Sequence, residues 1–419
     1  MMPTPAQAYL ANLIAQYPLP MPQEVRLQEL LKEWDIERDE VDTALHNRVT
    51  YLLEQLQPAL PPPVQALIAS GHLVAGEIGN TVPNAHMTPL GDDQFVVVLH
   101  SGLFEFLYQI ARPLASAVFR MQDAAGPGID DPEFARVVAE IFWWREVAGE
   151  MFGPEYAVTD HQKTLANLLA MRAERFLLAH ELGHVSVVLS SPGILDEAEE
   201  ESVADIAALT WSMLASNLSS NEAKDPMWAM LTYAGAELAL QIWNVMSRLN
   251  LEFLHGVHPP AMARIDVLRK TLRTFCDSDA MYDTITMAAI VIERAFTQVH
   301  QIIDQPEGHA EMFERQAKLL VSDLRRLLED CSADVTPDYY RFYEAAPRLF
   351  ARGYPEQVIE EVLMQAVDGM RDTLAKAREG GTFIDINSRA FKQYKLLFGL
   401  TEHMPEPARL IFAHYLSLD

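Results

Sequence analysis

Apolar residues recur at helical spacing along most of the chain, and this period limits the possible fold more than any other feature. From Gly102 onward nearly every segment follows it, with short breaks that contain glycine or proline. Strand-like sequence is confined to residues 71–101, where Gln94–His100 is rich in β-branched and aromatic residues and follows a turn-like Gly-Asp-Asp. A strand fits Gln94–His100 better than a short helix. The expected fold is therefore mainly α with a small β-sheet, an α+β class.

Chain length and proline positions predict three regions. At 419 residues the chain exceeds the usual domain size of about 150 residues. Helical spacing in the first 60 residues ends at three consecutive prolines, and a second change falls near Cys276. We therefore predict a helical N-terminal region (1–60), a central domain (61–275) that carries the chemically active residues, and a helical C-terminal region (276–419).

Charge and hydropathy exclude several classes of partner. Lys and Arg total 32 against 59 Asp and Glu, and the resulting net charge of −27 would repel a nucleic-acid backbone. No window reaches the roughly 18 consecutive apolar residues of a membrane span, and the first residues lack the features of a secretory signal. These observations predict a soluble, cytoplasmic protein that binds no nucleic acid and has no membrane span.

A His-Glu-x-x-His sequence begins at His180, inside a segment of helical spacing. Residues four apart stack on one face of a helix, so His180 and His184 can bind one metal ion. Glu181 would lie beside that ion without binding it, where it can take a proton from water as a general base. Gly183 has no side chain to block the close approach of a neighbouring element. The pattern therefore predicts a metal site on a helix.

An acidic segment that follows the motif offers the third ligand. Glu201 and Asp205 lie four residues apart, and small Ala204 and Ala208 would let their helix pack closely on the first. Glu201 would complete a His, His, Glu set with an open position for water, while Asp205 would orient a ligand imidazole. We interpret the acidic residues 196–200 as a solvated first turn that the helix dipole stabilises.

These residues resemble the gluzincin zinc metallopeptidases, which combine His-Glu-x-x-His with a downstream Glu-x-x-x-Asp. Asn84-Ala85, the stretch 94–99 and Ser101-Gly102-Leu103 are similar to the edge strand and turn that border the substrate cleft of such enzymes. His258-Pro259-Pro260 and Arg264-Ile265 resemble a pattern of the CAAX-processing and stress-protease branch. That branch spans membranes and has a shorter connection before the motif, so a soluble prophage-encoded or defence-linked relative fits equally well. The resemblance covers roughly residues 78–268.

The resemblance implies a zincin-like metallopeptidase core with extra helices in residues 61–275. The expected activity is that of a soluble zinc-dependent endopeptidase (a hydrolase) acting on an intracellular protein or peptide substrate, which the stretch 94–99 would bind as an added strand. His258 would be a loop residue, a resting metal ligand or a stabiliser of the oxyanion, and Arg264 would bind Asp205 or Glu201. The helices after Cys276 could receive a regulatory protein partner.

Two other interpretations fit the same residues. The chain could be a non-catalytic helical scaffold or regulatory protein that zinc stabilises, although a purely structural site has no need of Glu181. Alternatively, His180 and His184 could be core histidines, which makes the spacing of Glu201 and Asp205 accidental. The three interpretations differ in whether metal binds and whether a peptide is cleaved.

Overall fold

The computed structural model describes residues 3–18, 48–80, 82–120, 135–142, 158–190, 195–219, 226–248 and 259–304. These residues are mainly helical with one small sheet, which confirms the expected mainly α character with a small β-sheet. Apart from residues 303 and 304, all of the described residues belong to one compact unit, which covers residues 1–142 and 153–302. The boundaries predicted at residues 60 and 275 both lie inside this unit. His258 and the helices predicted beyond residue 304 lie outside the described residues.

The elements follow one another in a simple order. They are α1 (Pro5–Gln16), α2 (Arg48–Leu56), α3 (Pro62–Ser70), β1 (Leu73–Ile78), β2 (Ala85–Gly91), β3 (Gln94–His100), α4 (Ser101–Arg120), α5 (Asp160–Ser190), α6 (Glu197–Ser219), α7 (Pro226–Arg248), α8 (Ala261–Phe275) and α9 (Asp279–Ile303). Residues 135–142 are also helical. None of the described helices combines the length and the apolar character needed to cross a membrane.

The sheet has the strand order β1-β3-β2, with β1 parallel and β2 antiparallel to β3. A two-residue turn joins β2 to β3, and both of its residues, Asp92 and Asp93, have positive φ, as tight hairpin turns require. The stretch 94–99 was expected at the edge of the sheet, and this expectation was wrong. Its strand lies in the centre, because a continuous run of apolar residues can be buried on both faces and along both edges.

Helices cover both faces of the sheet. Val96 and Val98 on β3 pack with Ala6 of α1 in one apolar cluster. Side chains alternate along a strand, so the neighbouring residues of β3 face the opposite side, where α5 packs on β2 and β3. One side of α5 therefore packs against the sheet.

Helix α5 lies at the centre of the compact unit. It packs against α4, α6 and α7 as well as against the sheet, and every residue from Arg172 to Gly183 is buried. A helix enclosed on every side brings its polar residues into the interior as well. Each of those polar residues then needs a hydrogen-bonding or charged partner, and several of these partners come from α6.

A buried ion pair ties α2 to α5. Arg48 binds the Glu174 carboxylate through both Nε, at 3.1 Å, and Nη2, and its guanidinium lies 4.3 Å from the centre of the Phe104 ring. Glu77 of β1 lies in the same region, and its Oε2 atom is buried with no hydrogen-bond partner. Burial raises the pKa of Glu77 to about 8, because the opposing effect of Arg48 is smaller and Glu174 and Glu105 add to the rise. One arginine thus faces two buried carboxyl groups, and Glu77 holds a proton at neutral pH.

We expect Glu77→Gln to raise the free energy of unfolding at high pH. The raised pKa of Glu77 means that its contribution to stability is complete below about pH 4.5 and is lost as the pH rises through about 8. Urea unfolding should therefore show wild type and variant alike at pH 4.5, with the variant more stable by about 4–5 kcal/mol at pH 9. Glu54→Gln, at an exposed position on α2, is the control. If the difference in the free energy of unfolding between wild type and Glu77→Gln were the same at both pH values, the raised pKa of Glu77 would be contradicted.

Candidate metal centre

Three side-chain donors from α5 and α6 converge on one point. His180 Nε2 lies 3.1 Å from His184 Nε2 and 3.4 Å from Glu201 Oε2, and His184 Nε2 lies 3.5 Å from Glu201 Oε1. Tetrahedral ligands at 2.0–2.2 Å from a metal ion are separated by about 3.3–3.6 Å, close to these values. Two turns of α5 and the first turns of α6 thus bring together the three ligands predicted from the sequence.

A carboxylate faces the other ring nitrogen of each histidine. His180 Nδ1 lies 3.0 Å from Asp205 Oδ1, and His184 Nδ1 donates to Glu200 Oε1 at 2.9 Å. A carboxylate oxygen can only accept, so the hydrogen of each neutral imidazole is on Nδ1 and each Nε2 carries a lone pair. Two lone pairs 3.1 Å apart repel each other unless a proton or a metal ion lies between them. The donor set therefore fits a divalent metal ion of the kind that imidazole and carboxylate bind.

Arg264 of α8 binds two acidic residues of α6, Asp205 and Glu201. Its Nε and Nη2 atoms donate to the two oxygens of Asp205, each at 2.8 Å, and Nη2 also lies 3.2 Å from Glu201 Oε2. Arg264 therefore contacts both carboxylates named for it in the sequence analysis. Burial alone would raise the pKa of Asp205, but Arg264 and His180 outweigh it and lower that pKa. Asp205 stays ionised and can orient His180.

The same carboxylates control protonation of the histidines. Burial lowers the pKa of His180, but Asp205 and Glu201 outweigh this effect and raise the pKa to about 9. Burial lowers the pKa of His184, but Glu201 and Glu181 together outweigh this effect and raise that pKa as well. A metal ion must therefore compete with a proton for Nε2, and metal affinity should fall as the pH falls.

The close approach of α5 and α6 depends on Gly183. A Cβ atom at this position would lie 2.8 Å from Ala204 Cα and 3.0 Å from the Ala204 carbonyl oxygen. Real Cβ atoms do not approach backbone this closely, so any larger residue would force the helices apart. Gly183 of the His-Glu-x-x-His motif and Ala204 of α6 are thus in direct contact.

A cavity of about 250 Å³ opens beside the three donors. Residues 85–87 of β2 line one side, and Leu240 and Trp243 of α7 line another. Glu181 lies on the cavity wall next to the two histidines and is 9% exposed. Glu181, the three candidate metal donors and an apolar wall thus border the same small cavity.

Several residues of this site were not predicted from the sequence. Glu200 was assigned to a solvated first turn, but it binds His184 and borders the cavity. Asp196 and Glu199 do form the expected cap, since each side chain accepts from the backbone N–H of the other. The adjacency of Glu200 to Glu201 was the available signal, because neighbouring helical residues differ by only about 100° in direction. Residues 85–87, Leu240 and Trp243 had no such signal.

We expect Glu201→Ala to remove most of the metal from the protein. Wild-type protein supplied with zinc should hold about one ion per chain, because three donors converge, whereas two imidazoles alone bind weakly. Glu197→Ala, an exposed acid on the same helix, should retain the ion. Metal content is measured by mass spectrometry at pH 8 and pH 6, with lower occupancy expected at pH 6. Equal metal content in both variants would contradict the proposed ligand set.

We expect Gly183→Ala to weaken both folding and zinc binding. The added methyl group would separate α5 from α6, at a cost of about 1–3 kcal/mol in the free energy of unfolding, and would displace Glu201 from the histidines. Gly235→Ala is the matched control, since a Cβ there would lie 2.7 Å from the Ala173 backbone nitrogen but between α7 and α5, away from the donors. Zinc titration by calorimetry should show reduced affinity in the first variant only. Unchanged zinc affinity in Gly183→Ala would show that this contact does not set the donor geometry.

No protein-family model, curated protein sequence or solved structure matches the chain. The chemistry of the site is therefore inferred from its own donor atoms, distances and charges. Those features favour a metal ion held by two imidazoles and a carboxylate, with Glu181 and an open cavity beside it.

Proposed function

We propose that the chain is a zinc-dependent endopeptidase of the gluzincin type, with a zincin-like core. His180, His184 and Glu201 would hold the ion, and Glu181 would act as the general base. The observation that carries the proposal is the convergence of these three donors beside a cavity whose wall includes Glu181. Two histidines and one glutamate with space on the remaining side are typical of catalytic zinc sites, whereas structural sites usually have four protein ligands.

Zinc in this position would act as a Lewis acid that polarises a peptide carbonyl and makes a nearby water more acidic. The protein supplies the remaining requirements. Asp205 and Glu200 orient the two imidazoles, and Arg264 keeps Asp205 ionised and in place. Leu240, Trp243 and Leu177 provide an apolar wall that reduces competition from bulk water.

Glu181 would move the proton during hydrolysis. Among the described residues, no side chain forms a hydrogen bond or ion pair with its carboxylate, so both of its oxygens can bind water in the cavity. One oxygen would accept a proton from the attacking water and then deliver it to the nitrogen of the leaving amine. Its position one residue after His180 brings the carboxylate to the ligand face without making it a ligand.

The edge strand β2 offers a place for the substrate backbone. Residues 85–87 line the cavity, and among the described strands β2 pairs only with β3. An extended peptide could therefore add to the outer edge of β2 through backbone hydrogen bonds and pass beside Glu181. In this proposal β2 takes the role that the sequence analysis assigned to residues 94–99.

We expect Glu181→Gln to bind zinc normally and to lose peptide hydrolysis. The amide cannot accept the proton, so turnover of an unstructured protein such as casein, or of a peptide library, should fall by about 10² to 10⁴-fold. Glu197→Gln is the matched control and should cleave at the wild-type rate. Cleavage is followed by mass spectrometry of the products, with zinc content measured on the same samples.

Two results would contradict the proposal. Hydrolysis by Glu181→Gln at the wild-type rate would exclude Glu181 as the base. Zinc-loaded wild-type protein that cleaves no member of a broad peptide library would favour the alternative, a non-catalytic regulatory protein stabilised by zinc.

A further inference from the structure

Two arginines of α5 are buried without an acidic partner. Arg172 and Arg175 lie one turn apart and are 8% and 1% exposed. Within the described part of the chain, neither side chain forms an ion pair with a carboxylate. Buried guanidinium groups are normally paired, because an isolated charge in the protein interior is costly.

Neutral groups from two neighbouring helices surround these arginines. Arg175 Nη2 donates to the Ser212 carbonyl oxygen at 3.1 Å and to Thr232 Oγ1 at 3.2 Å, and it also contacts Ser216 Oγ. Arg172 Nη1 donates to the same Ser216 hydroxyl at 3.4 Å. Because both guanidinium groups reach one hydroxyl, two positive charges lie side by side between α5, α6 and α7.

Each arginine also retains an unused donor. The Nε atoms of Arg172 and Arg175 are both buried with no hydrogen-bond partner. Burial lowers the pKa of Arg172 to about 10, and burial together with the charge of Arg172 lowers the pKa of Arg175 further below its usual range. Within the part of the chain that the structure describes, the pair therefore has no carboxylate to balance its charge, and each arginine keeps one Nε donor without an acceptor.

Three other arginines of the described residues, each at least partly buried, show the contrast. Arg264 binds Asp205 and Glu201, and Arg48 binds Glu174. The half-buried Arg269 binds Glu237 and Glu293. Carboxylates thus face Arg264, Arg48 and Arg269, whereas the partners that the described residues offer to Arg172 and Arg175 are neutral.

We propose that Arg172 and Arg175, with Ser216 and Thr232, form a binding site for a small phosphate group. A phosphate has several acceptor oxygens and up to two negative charges, which match two guanidinium groups that each keep an unused Nε donor. The Ser216 hydroxyl now donates to the Ser212 carbonyl oxygen at 2.9 Å and lies 2.8 Å from Thr232 Oγ1, so both hydroxyls would turn from these bonds toward the phosphate. The Arg172 guanidinium lies 5.0 Å from the centre of the half-buried Trp228 ring, so this side of the cluster is close to the surface. The site uses none of the metal donors, and it does not depend on the proposed peptidase activity.

Thermal unfolding of the full chain in phosphate-free buffer tests this site. Inorganic phosphate is titrated at constant ionic strength, and the wild-type Tm should rise with saturation by about 5 °C or more. Arg175→Met and Arg172→Met should abolish this rise without lowering the Tm in the absence of phosphate, because each removes an uncompensated charge. Arg273→Met, at a surface arginine, should respond as wild type does. Calorimetry with a nucleoside monophosphate distinguishes free phosphate from a phosphate group on a larger molecule, according to which of the two binds more tightly.

Two outcomes would overturn the proposal. A wild-type Tm that does not change with phosphate, together with no heat of binding, would exclude the site. A Tm that falls equally in Arg175→Met with and without phosphate would identify Arg175 as a structural link between α5, α6 and α7, and the same result for Arg172→Met would extend that conclusion to the pair.

Discussion

The contact between Gly183 and Ala204 sets the distance between α5 and α6, and the remaining features of the site depend on it. At this separation the backbone of α6 is close enough for Glu201 to reach both histidines of α5. A wider spacing would leave each imidazole with only its own carboxylate and no shared third donor. The hydrogen bonds and ion pairs of the site therefore require the close helix approach that Gly183 allows.

Once the helices are in contact, ion pairs between buried side chains fix the orientation of those side chains. Arg264, Asp205 and His180 form a chain of alternating donors and acceptors, and each member fixes the orientation of the next. Arg48 and Glu174 do the same on the side of α5 that faces α2. The exceptions to this rule are informative, because a buried charge without a partner is retained against a substantial cost. Arg172 and Arg175 are the clearest exception among the described residues.

The sequence indicated which side chains of α5 and α6 would converge, but it did not indicate what surrounds them. Residues His180, His184, Glu201 and Asp205 follow the helical period, so their faces could be assigned before the fold was known. Residues 94–99 were expected at the sheet edge, and they occupy its centre instead. Strand order depends on pairing between segments distant in sequence, which a local pattern of residues does not encode. The contact of Glu200 with His184 was missed although its adjacency to Glu201 was a local signal for it.

Local spacing by itself determined the mainly helical class, the small sheet and the residues of α5 and α6 that share a face, because helix and strand periods act over a few residues. Tertiary structure alone decided that β2 borders the cavity and that Arg264 of α8 reaches Asp205 of α6. It also decided that Arg172 and Arg175 meet in the interior with no carboxylate partner among the described residues. Those outcomes depend on which elements pack together and at what distance. Packing is set by the fit of whole surfaces, and no short segment carries that information.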